Sequence, residues 1–240
     1  MTFTVFVYAF FGGLLPSFIW LYFLLKEDTK HHEPKKLIAL AFFVGMLAVP
    51  LALPLEQFAK AYFLGDGQRI TLQVLAVWAL IEEVLKYAVA AAIILWRPSV
   101  DEAPDYVIYM ITVALGFAAA ENMLFLLTPI MQGSAAVSVF TGDIRFLGST
   151  LLHVVASASI GFALAFSHKS HPIVRVSAGA FGLILATALH TVFNALIISE
   201  GASATFTAFL FVWVVAVIFF AAFEVLKYFQ YGSITIRNKV

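Results

Sequence analysis

Trp78-Ala-Leu-Ile-Glu-Glu-Val-Leu-Lys-Tyr87 puts two adjacent glutamates and a lysine inside an apolar run from about Ile70 to Leu95. That run is long enough to cross a bilayer. An ionisable side chain at such a depth is costly, so it faces a bundle interior or a wet cavity and marks function by default. Residues three or four apart share a helix face. Lys86 therefore reaches both Glu82 and Glu83 and neutralises one of them within its own helix.

The rest of the chain fits a membrane setting. Of 240 residues, 62% are hydrophobic and only 12% charged, and the mean hydropathy is +0.98. A soluble domain is about half apolar and a quarter charged. The excess lies in long runs without the two-residue alternation of a membrane β-barrel. The expected fold is all-α and polytopic, a single transmembrane helical domain over 1–240. Net charge is zero, which removes any electrostatic case for nucleic acid as a partner. The absence of cysteine excludes disulfides, thiolate metal sites and a cysteine nucleophile.

Counting about 20 apolar residues per crossing predicts seven spans. They cover 3–25, 36–55, 70–95, 106–128, 144–167, 173–198 and 203–227. The first lacks a basic leader and is too long for a cleavable signal peptide. With this alternation, ten Lys and Arg residues fall on one side and Lys60, Arg69 and Arg145 on the other. The bias predicts an outer N-terminus and a cytoplasmic C-terminus. Pro50 and Pro54 predict a kink or an early end in the second span, leaving Leu55–Leu64 as a short interfacial helix. The outer loop Pro129–Asp143 is a candidate gate. Clusters of small residues, including Ala156–Ser159, Gly161 and Gly182, predict close helix contacts. His31, His32, His168 and His171 read as loop residues.

Four spans carry isolated polar groups at similar depth. At ~1.5 Å per residue, Glu82 lies ~18 Å below the outer end of its span, Glu121 ~10 Å, His153 ~14 Å and His190 ~12 Å. Three carboxylates and two histidines in one layer suit metal ligation or acid–base work. Zinc hydrolases use His and Glu ligands and keep one position for water. A nearby unligated glutamate then takes the proton of that water. An asparagine can donate to a developing oxyanion. No His-Glu-x-x-His motif is present, which lowers the case for ordinary zincin chemistry. The bland alternatives are a structural Glu82–Lys86 pair and interhelical hydrogen bonds from His153 and Asn122.

At these positions the chain resembles the PrsW family of intramembrane proteases. The match is carried by Glu82, Glu83 and Lys86; by Gly116, Phe117, Glu121 and Asn122; by Arg145, His153 and Gly161; and by His190 with Asn194. Pro16, Trp20, Asp28 and Glu33-Pro34 fit the family's first span and loop. Tyr106 and Met110 depart from it, standing where glycines are expected. The resemblance implies hydrolysis of a peptide bond of a membrane-anchored protein, of which an anti-sigma factor in a stress response is the best-known case. It implies a multi-pass protein of the bacterial cell membrane. It also implies a divalent metal, zinc first, held by His153, His190 and Glu121. A similarity to the CAAX-prenyl endopeptidases implies a metal-free glutamate mechanism instead. There Glu82 or Glu83 is the base, His190 and Asn194 polarise the carbonyl, and Glu121 stands in for a histidine; Lys86 and Asn122 support. Glu82 is taken as base and Glu83 as its neighbour. The competing readings are a proton- or cation-coupled transporter using the Glu/His layer and a CAAX-type prenyl-protein endopeptidase.

Overall fold

The computed structural model describes residues 3–27, 32–64, 69–131, 148–199 and 202–237. It is all-helical. The helices are α1 (Phe3–Glu27), α2 (Lys35–Leu64), α3 (Leu72–Ile93), α4 (Ala103–Met131), α5 (Thr150–Ser167), α6 (Pro172–Ile198) and α7 (Ala202–Arg237). Among the described residues, six are long and apolar enough to cross a membrane. The remaining one, α3, has the length of a span and carries Glu82, Glu83 and Lys86. Large apolar side chains such as Phe11, Phe58, Phe181, Ile184 and Phe206 remain exposed. Around a bundle of this kind they form the surface that meets lipid.

Local chemistry starts several helices where they begin. The Thr71 hydroxyl accepts from Val74 N at the start of α3, at 3.4 Å. Asp105 accepts from the backbone N–H groups of Asp101 and Glu102, at 3.0 and 2.8 Å, at the start of α4. Pro172 opens α6, with the His171 ring as its cap. Each satisfies donors that a helix N-terminus leaves unpaired.

Helices α4 and α5 form the centre. α4 packs on α1, α2 and α5; α5 packs on α4 and α6; α3 closes the group between α2 and α6. The close approaches occur at glycines. A Cβ on Gly45 would stand 2.9 Å from the Val113 carbonyl carbon, and one on Gly116 would stand 2.7 Å from that of Phe42. α2 and α4 thus cross backbone to backbone at two reciprocal points. Gly161 faces Val107 and Tyr106, and Gly182 faces Ile160 and Ser159. The expected small-residue contacts are therefore present. Tyr106, which stands where the family pattern has a glycine, points its side chain to Arg175, whose guanidinium donates to the Tyr106 hydroxyl at 2.8 Å.

Two expectations need correction. α2 does not end at its prolines; it runs to Leu64, so Leu55–Leu64 forms its last turns and not a separate interfacial helix. Packing offsets the lost backbone bonds: Val49, Ala52 and Ala59 are buried, and the Trp78 indole donates to Glu56 O at 2.9 Å. α7 runs to Arg237, beyond the expected end at 227. Lys227 ties it to Glu27 of α1 at 2.8 Å, and Tyr231 donates to Glu102 at 2.8 Å. Residues 132–147, which hold most of the candidate gate and Arg145, lie outside the described residues.

Candidate active site

Helical spacing places Glu82, Glu83 and Lys86 on one face of α3, turned into the bundle against α5 and α6. The Lys86 side chain is fully buried. Its Nζ donates to Glu83 Oε1 at 2.7 Å, to Glu82 Oε2 at 3.2 Å and to His153 Nδ1 at 2.8 Å. An ammonium has three N–H donors, so Lys86 is saturated. The Phe117 ring covers it, 4.2 Å from centroid to Nζ.

That arrangement fixes the imidazoles. His153 Nδ1 must accept from the ammonium, so its proton sits on Nε2 and is donated to Glu121 Oε2 at 2.9 Å. His190 Nδ1 donates to Glu83 Oε1 at 3.0 Å, which leaves Nε2 facing Glu82 Oε1 across 3.9 Å. Glu83 Oε2 accepts from Ser157 Oγ at 2.9 Å. The two rings stand edge to face at 5.2 Å between centroids. With neutral imidazoles, Glu82, Glu83, Glu121 and Lys86 together carry two net negative charges. Glu121 is the most exposed carboxylate, its side chain 20% open against 8% for Glu82 and none for Glu83, so access runs from the Glu121 and Glu82 edge.

The structure brings Glu82, Glu83, Lys86, Glu121, His153 and His190 into one bonded cluster. Asn122 lies outside it; buried on α4, its Nδ2 donates to Thr150 Oγ1 at 3.0 Å and ties α4 to the start of α5. Asn194 is half-buried one turn beyond His190 and makes no hydrogen bond into the cluster. His171 caps α6, and His168, in the connection after α5, packs half-buried on the Tyr106 ring. Two participants are missing from the sequence reading. Ser157 was grouped with small packing residues, although its position four after His153 puts it on the same face. Glu56 was assigned to an interfacial helix; it is half-buried within electrostatic reach of Glu82, Glu121, Lys86 and His190.

The family model for PrsW family intramembrane metalloproteases matches residues 33–223. The chain belongs to this family. Three curated relatives are each named Protease PrsW. That of Bacillus subtilis (strain 168) is 24% identical, over 75% of this chain and 78% of its own length. That of Clostridioides difficile (strain 630) is 23% identical over 80% and 79%. That of Oceanobacillus iheyensis is 25% identical over 76% and 80%. No solved structure matches. The protein is a multi-pass membrane protease, as the motifs led one to expect, and neither the transporter nor the prenyl-protein reading gains support.

The family description raises the question of a metal. Glu82, Glu83, His153 and His190 each offer a ligand atom, all within 4.8 Å of one another, and such a group could hold an ion. In the arrangement seen, most of these atoms are engaged in bonds within the protein. Both His153 nitrogens, both Glu83 oxygens and Glu82 Oε2 are engaged, which leaves His190 Nε2 and Glu82 Oε1 as the unengaged ligand atoms of this group, whereas catalytic zinc takes three protein ligands. A dication beside the ammonium would be repelled by it, so Lys86 would have to move for the group to hold an ion.

Proposed function

We propose that the protein cleaves a peptide bond of a membrane-anchored protein near the outer leaflet, with Glu82 as general base. The observation that carries this reading is the 3.9 Å gap between Glu82 Oε1 and His190 Nε2. Two acceptors at that separation suit a water that donates to both. Glu82 takes one proton as the water oxygen attacks the carbonyl carbon, and returns it to the amine nitrogen as the C–N bond breaks. Glu83 does not touch the water. It holds His190 by Nδ1–H and is itself held by Lys86 and Ser157. Asn194, with no hydrogen-bond partner among the described residues and one turn outward from His190, supplies the donor for the carbonyl oxygen as its charge develops. Glu121 orients His153 at the entrance.

The outer-leaflet side follows from the Lys/Arg bias and from the shared depth of the polar layer. The substrate class follows from the family, and an anti-sigma factor is one member of that class. The test is cleavage of a panel of single-span membrane proteins in liposomes by the parent and by Glu82→Gln. Loss of cleavage in Glu82→Gln, in a chain that still folds, supports the assignment. Undiminished cleavage by that variant refutes it.

A further inference from the structure

The residues that could ligate a metal are organised around a cation that the chain supplies itself. Three of the four, Glu82, Glu83 and His153, bond the same Lys86 Nζ at 2.7 to 3.2 Å. The fourth, His190, shares Glu83 Oε1 with that ammonium. The Phe117 ring closes the remaining side. Lys86 is as buried as any atom group in the bundle, yet none of its donors is unmatched.

We propose that Lys86 is the resident cation of this site: its ammonium occupies the place a divalent ion would take and positions Glu82, Glu83 and His153 for a metal-free reaction. Lys86 is a positioning residue. It does three things that a metal would otherwise do. It offsets the charge of adjacent carboxylates. It fixes the His153 tautomer, directing Nε2–H to Glu121. It holds Glu83 where Glu83 can orient His190. A metal in the same set would need Lys86 moved aside and both His153 and Glu83 released from their present bonds.

The proposal deepens the active-site assignment above, but its readout is metal content and needs no substrate, so it can fail while the protease reading stands, and the reverse. Full-length, untagged chains are purified in detergent as the parent and as Lys86→Met, which keeps the chain length and removes the charge. Each is prepared also with Glu82→Gln, so that metal bound elsewhere is subtracted. After equilibration with zinc and removal of unbound ion, metal is counted by mass spectrometry. Cobalt(II) replaces zinc in a parallel arm, and its visible absorption reports coordination geometry. The expected result is no site-specific metal in the parent and uptake with a four-coordinate cobalt spectrum in Lys86→Met. Stoichiometric site-specific metal in the parent overturns the proposal. So does a folded Lys86→Met chain that takes up no more than the parent. Should Lys86→Met not fold, the parent decides alone. An ion bound to the native state raises its melting temperature. No zinc-dependent shift beyond that of parent Glu82→Gln is expected, and a larger shift overturns the proposal.

Discussion

Gly116→Ala adds one methyl group at the place where α2 and α4 cross. The new Cβ would stand 2.7 Å from the Phe42 carbonyl carbon, with the carbonyl oxygen closer still. Carbon atoms pack at 3.5 Å or more, so the helices must part by about 1 Å. Backbone cannot swing away as a side chain can, which places the cost near the upper end of overpacking, about 3 kcal/mol. Alanine returns about 1 kcal/mol through better helix propensity. The net loss is about 2 kcal/mol, equivalent to about 4–8 °C in melting temperature for a chain of this size. The functional effect is larger. Phe117, the next residue, covers Lys86 at 4.2 Å and packs against His153 at 5.6 Å between centroids. A displacement of about 1 Å there is expected to lower cleavage about 100-fold. Gly12→Ala is the control, because its methyl meets only the flexible end of Leu126 at 2.9 Å. Thermal unfolding in detergent and reporter cleavage in nanodiscs measure the two effects. A Gly116→Ala chain with parental melting and parental activity would refute the claim that this crossing holds the site.

Ser157→Ala removes the donor to Glu83 Oε2. A buried acceptor left unpaired costs about 1–3 kcal/mol, so thermal unfolding should show a loss of that size together with reduced turnover. Asn194→Ala should lower kcat about 100-fold with KM and melting temperature nearly unchanged. A change confined to KM would instead make Asn194 a substrate-binding residue.

The parts of the fold that could be read from residues are those set by apolar run length and by charge in apolar context. The seven runs correspond to the seven helices among the described residues, and the charges of α3 marked the cluster. Depth estimates brought Glu82, Glu121, His153 and His190 together because the rise per residue is nearly constant. Run length does not report where a helix ends, however. α2 continues through Pro50 and Pro54 on the strength of its packing, and α7 continues past its apolar run through polar residues. The finer chemistry was hidden for a related reason. The third Lys86 bond goes to a residue 67 positions away, and only that bond sets the His153 tautomer. Ser157 looks like any small residue in a packed helix until its neighbour across the interface is known.

The self-pairing of α3 bears on how the chain is made. Its partners on other helices are distant in sequence, 67 residues on for His153 and 107 for His190. At about 5–20 residues per second of synthesis, α3 emerges several seconds or more before His190 exists. Each bare charge at mid-bilayer opposes insertion by about 3 kcal/mol on the translocon scale. Spacing of three and four residues lets Lys86 meet Glu83 and Glu82 within the newborn helix, before any other helix arrives. Biogenesis and the finished site thus depend on the same side chain at different times. A substitution at Lys86 acts first at the translocon, on the fraction of chains that acquire the right topology.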